Sequence, residues 1–336
     1  MKHIDSALVV GAGAIGSIVA ATIHTTSPGS VRVLADSTRM ERLRATGIVV
    51  NGTRLDIPLA PASQAAADAR ATGNAAGSMP APADEQSPEE VFHPGLIIVA
   101  VKSYQLDQAI RDMAPYVGKD TVILSLLNGI ASEDDLAAAF GRGQVLYSMI
   151  IAIDALRENG GTSYSRGGTI TFGEARNPTG AWSEPVRAVA EYFDRTGIRY
   201  SVPEDMIRSM WFKFMINVGI NPASAITGGT YGVFQTVPEA RSLMDAAMLE
   251  LIEISKIMGT GLTEADLPSW YSTLVSLMPG GKTSMLQDVE AGRRTEIDIF
   301  AGTVVNLGRA TGVPTPVNKT MHDMVKIIEA RNGIRI

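Results

Sequence analysis

Residues 11–16 read GAGAIG and directly follow the apolar run ALVV. In such a pattern the first glycine allows a tight turn, the second lets a pyrophosphate approach the backbone, and the third permits close helix–strand packing. The anion then binds at the N-terminus of the following helix. Asp36 ends the run VRVLAD 20 residues after Gly16, where a carboxylate binds the ribose hydroxyls. The sequence therefore predicts a dinucleotide site that includes Gly11, Ala12, Gly13, Ala14, Ile15, Gly16 and Asp36.

Two residues after the second strand give opposite indications about the cofactor. A carboxylate at Asp36 favours NAD(H) and repels a 2′-phosphate. Arg39, three residues later, can reach such a phosphate and favours NADP(H). From these residues alone, both cofactors stay open.

Apolar runs alternate with helical patterns through the first two hundred residues, as in an α/β domain with a parallel sheet. After residue 204 every long segment has helical periodicity, and Gly259, Gly312 and Gly333 stand where C-terminal caps belong. We therefore expect an N-terminal Rossmann-like domain at 1–203 and an all-α domain at 204–336. Residues 60–94 are rich in Ala, Pro, Gly and acidic residues, which predicts a flexible insertion.

Composition limits the classes of function. A net charge of −6 argues against a general nucleic-acid binder. The chain has no cysteine and four scattered histidines, so we expect no metal site. No apolar stretch approaches the length of a membrane span, and the N-terminus has no leader pattern, so we expect a cytoplasmic protein.

The stretch MWFKFMINVGINP places Lys213, Asn217 and Asn221 four residues apart among large apolar side chains. At about 100° per residue these three side chains fall within roughly an 80° sector of one helix. Asparagine is a poor helix former for a solvated face, which favours a functional stripe over a solvated one. Pro222 is expected to kink or end the helix just after Asn221.

A second polar cluster lies in TSMLQDVEAGRRTEID, residues 283–298. Read as one helix, this segment puts Ser284 and Asp288 on one face and Glu296 two turns further along. Glu296 alone could simply pair with Arg293 or Arg294. Lys102 and Asn128 follow two apolar strand candidates, so both are expected at the sheet edge where a dinucleotide binds.

The motifs GAGAIG, VKSYQ, LLNGI, WFKFMINVGINPASAIT and SMLQDVEAGRRTEID, in this order, resemble the ketopantoate reductase family over nearly the whole chain. The resemblance implies reduction of a 2-keto acid by NADP(H), in pantothenate biosynthesis. It implies that Lys213 is the general acid and that Glu296 lies near the reacting centre and the cofactor. Further implied contacts are Asn217, Asn221, Ser284 and Asn128 to the substrate, and Lys102, Asn128 and Ala155 to the cofactor.

Two positions depart from the family pattern. The family usually has an arginine where this chain has Asp36, which keeps NAD(H) open. It often has an asparagine where this chain has Tyr231, before Gly232, which leaves the exact keto acid open. The alternatives are a related 2-hydroxy acid dehydrogenase with another substrate and a non-catalytic dinucleotide-binding regulator. The long apolar helices of the second half also predict a homodimer formed through the helical domain.

Overall fold

The structure, a computed structural model, describes residues 3–62, 92–158 and 160–334. The chain forms two compact units. One comprises Met1–Leu127 and Ala131–Met206, and the other comprises Asn128–Ile130 and Ile207–Ile336. The first is α/β and the second is helical, so the predicted fold class is confirmed. Asn128–Ile130 belongs to the helical unit although the chain on both sides of it belongs to the α/β unit.

An eight-stranded sheet forms the centre of the α/β unit, in the order β12-β11-β8-β7-β6-β1-β2-β5. Every neighbouring pair is parallel except β8 and β11, which are antiparallel. From β5 to β8 the order is that of a dinucleotide-binding fold, with its switch point between β1 and β6. The strands of this sheet are β1 (Ala7–Val10), β2 (Val31–Ala35), β5 (Leu59–Pro61), β6 (Leu96–Val99), β7 (Val122–Ser125), β8 (Val145–Ile153), β11 (Gly167–Gly173) and β12 (Tyr200–Ser201).

Helices cover both faces of this sheet, because alternate residues of its strands enter two separate cores. In β1, Ala7 and Val9 pack into one core, and Leu8 and Val10 pack into the other. The helices of the unit are α1 (Ala14–Thr26), α2 (Ser37–Thr46), α3 (Leu106–Met113), α4 (Ser132–Phe140) and α5 (Glu184–Thr196). The sequence pattern did not predict α2, which Asp36 caps by accepting a hydrogen bond of 2.8 Å from the backbone N–H of Arg39.

A second, four-stranded sheet was also not predicted. It is built from the hairpin β3 (Ile48–Val50) with β4 (Thr53–Leu55) and the hairpin β9 (Leu156–Glu158) with β10 (Gly161–Ser163). Asn51 and Gly52 turn the first hairpin with φ of 47° and 77°, as a two-residue Asn-Gly turn requires. The second hairpin also contains an Asn-Gly pair in its sequence, at positions 159 and 160.

The helical unit has one continuous apolar core, and each of its seven described helices contributes buried residues to it. Glycines in the left-handed conformation end two of them, with φ of 68° at Gly259 and 77° at Gly312. In the part of the chain that the structure describes, no helix is long and apolar enough to cross a membrane. The helices are α6 (Met206–Thr227), α7 (Tyr231–Thr236), α8 (Pro238–Met258), α9 (Asp266–Ser276), α10 (Ser284–Glu290), α11 (Ala301–Thr311) and α12 (Pro316–Arg331).

Three expectations require correction. Pro222 was expected to kink or end helix α6; the helix does not end there but continues to Thr227, with Pro222 buried within it. Residues 283–298 are not one helix, because α10 ends at Glu290 and the chain turns at Gly292 with φ of 61°. The range predicted for the flexible insertion, residues 60–94, extends too far at both ends. Ala60 is buried in β5, Pro94 is buried before β6, and the flexibility predicted for residues 63–91 lies outside the described residues.

Candidate active site

The glycine loop lies at the switch point of the large sheet, directly after β1. Gly11 has φ of +100°, and a Cβ there would lie 2.7 Å from Val101 Cγ1. A Cβ at Gly16 would lie 1.9 Å from the carbonyl oxygen of Gly11, so the loop and α1 can pack only with glycine at that position. Gly13 differs, because its Cβ would meet protein no closer than the carbonyl oxygen of Ala100 at 3.8 Å. The fold does not itself require glycine at position 13, whereas a pyrophosphate approaching the backbone does.

The other cofactor residues predicted in the α/β unit lie at or near the same edge of the sheet. Lys102 follows β6, the neighbour of β1, and its backbone N–H donates to Gln105 Oε1 at 3.2 Å. Asp36 and Arg39 follow β2, the other neighbour of β1. Ala155 follows β8 and packs against the core that also contacts Ile15 of the loop.

In the helical unit, Lys213, Asn128 and Glu296 form one hydrogen-bonded chain. Lys213 Nζ donates to Asn128 Oδ1 at 3.3 Å, and Asn128 Nδ2 donates to Glu296 Oε2 at 3.2 Å. An ammonium group can only donate and an ionised carboxylate can only accept, so both ends fix the orientation of the Asn128 amide. The amide therefore joins a cation to a carboxylate that is buried at 5% exposure.

Asn217, Asn221 and Ser284 form a second chain one turn further along α6. The backbone N–H of Met285 and the hydroxyl of Ser284 donate to Asn221 Oδ1, at 3.5 and 3.3 Å. Asn221 Nδ2 then donates to Asn217 Oδ1 at 3.2 Å. Because the backbone N–H must be a donor, the order of donors and acceptors is set along the whole chain. Asn217 is half-buried, and its Oδ1 is the acceptor at the end of this chain.

The two chains start from one helical stripe, since Lys213, Asn217 and Asn221 are successive i,i+4 neighbours on α6. Glu296 reaches this stripe from the irregular segment between α10 and α11, not from the face of one long helix. Arg293 pairs with Asp288 at 2.9 Å and Arg294 pairs with Asp298 at 3.6 Å. The structure thus brings together the predicted residues of the helical unit. Glu296, however, lies in a segment after α10 and not on the same helix as Ser284.

Tyr231 begins α7, where the family often has asparagine. Its backbone N–H donates to the carbonyl oxygen of Gly281 at 2.9 Å, and that of Gly232 donates to the carbonyl oxygen of Pro279 at 2.7 Å. Burial raises the pKa of the Tyr231 hydroxyl, so the side chain stays neutral at ordinary pH. A bulky neutral phenol therefore replaces an amide at this position.

Sequence reasoning missed Arg157, which contacts the glycine loop. Arg157 is in β9, and its Nη1 donates to the carbonyl oxygen of Ala12 at 2.6 Å and contacts Ser17 Oγ at 3.3 Å. The signal in the sequence was the Asn-Gly turn that follows it, which predicts a hairpin. Nothing local in the sequence predicts that this hairpin reaches residue 12.

A glycine loop at the switch point of a parallel sheet, in a chain with a helical unit that carries a lysine–amide–carboxylate cluster, defines a nicotinamide-dependent oxidoreductase. Two family models match the chain: "Ketopantoate reductase PanE/ApbA" at residues 7–177 and "Ketopantoate reductase PanE/ApbA C terminal" at residues 205–329. The chain belongs to the ketopantoate reductase family.

Similarities to individual proteins support the assignment to this family. The chain is 29% identical over 259 residues to a 2-dehydropantoate 2-reductase of Aquifex aeolicus, covering 73% of this chain and 80% of that one. It is similar to the crystal structure of a 2-dehydropantoate 2-reductase from Methylococcus capsulatus, with a TM-score of 0.77, 25% identity, and coverage of 98% and 99%. A D-mandelate dehydrogenase with NADH and anilino(oxo)acetate has the same fold, with a TM-score of 0.81, 19% identity, and coverage of 98% and 100%.

Proposed function

We propose that the protein reduces 2-dehydropantoate (ketopantoate) to pantoate with NAD(P)H. The observation that carries this proposal is the pair of hydrogen-bonded chains along α6, in a chain of the ketopantoate reductase family. When bound, the nicotinamide cofactor supplies a hydride to C2 of the keto acid. The residues of this chain must then protonate the ketone oxygen and hold the substrate.

In this proposal Lys213 is the general acid. As hydride adds to C2, the carbonyl electron pair moves onto oxygen, which takes a proton from Lys213 Nζ. The ammonium group also stabilises the charge that develops on this oxygen before the proton is transferred. Positioned proton transfer contributes typically about 10²–10⁴-fold to such a rate. Asn128 and Glu296 hold the ammonium group in place, through the contacts at 3.3 and 3.2 Å.

The second chain is proposed to hold the substrate's carboxylate and hydroxyl. Asn217 offers an amide N–H, and Ser284 an exposed hydroxyl, to these oxygens. Asn221 is buried and fixes both partners, because it accepts from Ser284 and donates to Asn217. These groups recognise oxygen atoms without adding charge to the site.

Initial rates with ketopantoate, measured with NADPH and NADH in parallel, test the function and the cofactor together. We expect cofactor oxidation that depends on ketopantoate and is lost in the Lys213→Ala variant. Cofactor binding without turnover of any 2-keto acid would instead identify a regulator.

We further propose that the protein is cytoplasmic and that it forms a homodimer through the helical unit. Light scattering of the purified chain, compared with a variant altered in that unit, tests the dimer.

A second candidate is reduction of a different 2-keto acid. Tyr231 favours it, because a half-buried phenol stands where the family often has an amide. The fold shared with a D-mandelate dehydrogenase is consistent with this second candidate. A panel of 2-keto acids with aliphatic and aromatic side chains separates the two candidates. Turnover of a panel member but not of ketopantoate selects the second.

A further inference from the structure

One face of α12 holds the segment that carries Glu296. Glu329 is buried at 1% exposure, and its Oε1 accepts two hydrogen bonds from Thr295, from the backbone N–H at 2.6 Å and from the hydroxyl at 2.7 Å. The hydroxyl of Thr295 in turn accepts the backbone N–H of Ile297 at 3.3 Å. The residues immediately before and after Glu296 are therefore both tied to Glu329.

A second contact from the same face of α12 follows Glu296 in the chain. Asp298 accepts from Lys326 Nζ through its Oδ2 at 2.9 Å, and its Oδ1 contacts His322 Nε2 at 2.9 Å. Positions 322, 326 and 329 are four and three residues apart, so their side chains lie on one side of the helix. This side of α12 thus contacts the chain on both sides of Glu296.

The buried carboxylate of Glu329 has a cation beside it. Lys326 Nζ lies 3.4 Å from Glu329 Oε2, and the lysine side chain is itself only 18% exposed. Burying a carboxylate is unfavourable unless hydrogen bonds and an opposite charge replace its hydration. Glu329 has both, so it provides a fixed acceptor inside the core for the irregular chain between α10 and α11.

The position of Glu296 bears directly on Lys213. Glu296 Oε2 accepts from Asn128 Nδ2 at 3.2 Å, and Asn128 Oδ1 accepts from Lys213 Nζ at 3.3 Å. Both distances are at the long end for N–H···O hydrogen bonds, so a small displacement of the carboxylate would break the chain. Glu296 belongs to no α-helix or strand, so contacts from elsewhere must fix its backbone.

We propose that Glu329 and Thr295 are positioning residues for the reaction. They hold the backbone around Glu296 so that its carboxylate meets the Asn128 amide and, through this amide, fixes the ammonium group of Lys213. This inference rests on the proposed function for the role of Lys213. The contacts themselves involve no substrate, so they can also be tested without one.

Thr295→Val removes the hydroxyl and keeps the backbone N–H that Glu329 accepts. We expect kcat with ketopantoate to fall about tenfold or more, because misplacing a catalytic group by about 1 Å can cost about 10²-fold. KM and the Kd for NADPH should change by no more than about twofold. Thr295→Ser keeps the hydroxyl and should retain most of kcat. Glu329→Leu should lower kcat at least as much as Thr295→Val, whereas Glu329→Gln keeps an acceptor and should retain most of it.

Ser255→Ala is the matched control. Ser255 is buried on α8, and its hydroxyl accepts the backbone N–H of Leu262 at 2.9 Å. Ser255→Ala and Thr295→Val each remove a buried hydroxyl and leave a backbone N–H without this acceptor, so both should lower the unfolding temperature. Only Thr295→Val should lower kcat. An equal loss of kcat in both variants, or no loss in Thr295→Val, would overturn the positioning role.

Proton–nitrogen correlation NMR of the ligand-free protein separates this inference from the proposed reaction. The signal of the Asn128 side-chain amide, assigned by its loss in Asn128→Ala, reports whether Nδ2 donates to Glu296. It should move in Thr295→Val in the same direction as in Glu296→Ala, and stay in place in Thr295→Ser and Ser255→Ala.

These shifts in a protein that does not reduce ketopantoate would refute the proposed reaction and leave the positioning of Glu296 standing. An unmoved Asn128 signal in Thr295→Val would overturn the positioning role whatever the activity. Thr295→Ala removes the same hydroxyl and takes the place of Thr295→Val in both tests if the valine variant does not fold.

Discussion

The ammonium nitrogen of Lys213 lies 3.3 Å from the amide oxygen of Asn128. Asn128 lies 85 positions earlier in the chain, yet it belongs to the same compact unit as α6. The contact fixes the side chain of Lys213, the proposed proton donor, on the helical stripe that Asn217 and Asn221 share.

Replacing Lys213 with alanine removes the proposed general acid. We expect kcat with ketopantoate to fall by at least about 10²-fold, because general acid catalysis contributes that much or more. The Kd for the cofactor, measured by calorimetry, should stay near the native value. Lys256→Ala, an exposed lysine on α8, is the control and should keep native turnover. Native-like turnover by Lys213→Ala would rule out the assigned role.

Asn217→Ala removes the amide donor at the outer end of the second chain. We expect kcat/KM for the keto acid to fall about tenfold or more, mainly through KM, since a ligand oxygen loses a hydrogen bond. Asn306→Ala, at an exposed position of α11, is the control. A loss of kcat with unchanged KM would instead mean that Asn217 acts in the chemical step.

Gly13→Ala and Gly16→Ala separate ligand approach from packing. The space beside Gly13 accepts a Cβ, so Gly13→Ala should unfold near the native temperature and yet bind NADPH at least about tenfold more weakly. The Cβ of Gly16→Ala would lie 1.9 Å from the carbonyl oxygen of Gly11, so this variant should lose about 1–3 kcal/mol or more of stability. Thermal unfolding and calorimetry measure both. Native cofactor affinity in Gly13→Ala would contradict the assignment of the loop.

Glu133 makes stability depend on pH. Its side chain is buried in α4, where it accepts from the Ser132 hydroxyl at 3.0 Å and from the Ser148 N–H at 3.4 Å. Burial raises the pKa of Glu133 from 4.5 to about 7, although these hydrogen bonds and the charge of Arg142 oppose the rise. A raised pKa in the folded state means that the neutral form is favoured by folding. Its contribution, about 3 kcal/mol, is complete below pH 4.5 and is lost as pH rises through 7.

Urea unfolding between pH 4.5 and 8 tests this directly. The unfolding free energy of the native chain should fall as pH rises from 4.5 through 7. Glu133→Gln should remove the part of this fall that comes from Glu133, because the glutamine side chain does not ionise in this range. Glu191→Gln, an exposed carboxylate on α5, should keep the native decline. Parallel curves for the native chain and Glu133→Gln would show that the carboxyl group titrates in the same way in both states.

The main sheet could be predicted from sequence because its strands are buried on both faces and read as continuous apolar runs. The small sheet could not, since its strands have three residues each and too little periodicity to separate from loops. The break after Glu290 was missed for a related reason. Apolar residues continue with helical spacing on both sides of Gly292, so the pattern does not show where the chain turns.

The candidate site also has a part that could be predicted from the sequence and a part that could not. Lys213, Asn217 and Asn221 share one helix, so elementary geometry places them together. Asn128 and Glu296 join Lys213 across 85 and 83 positions, and residue spacing says nothing about such contacts. Family resemblance implied that both residues belong to the site, but it did not predict the hydrogen bonds between them. Arg157 had neither a local pattern nor a family motif, and it became visible only through its contact with Ala12.

The grouping of Asn128–Ile130 with the helical unit has a consequence for exchanging halves between relatives. A chimera joined near residue 206 would take the lysine and glutamate from one parent and the intervening amide from the other. The amide can hydrogen-bond to both the lysine and the glutamate only if the two parents supply compatible side chains at these three positions. The helical half is thus compact but not modular, because a fragment that starts at Ile207 lacks the amide that joins Lys213 to Glu296.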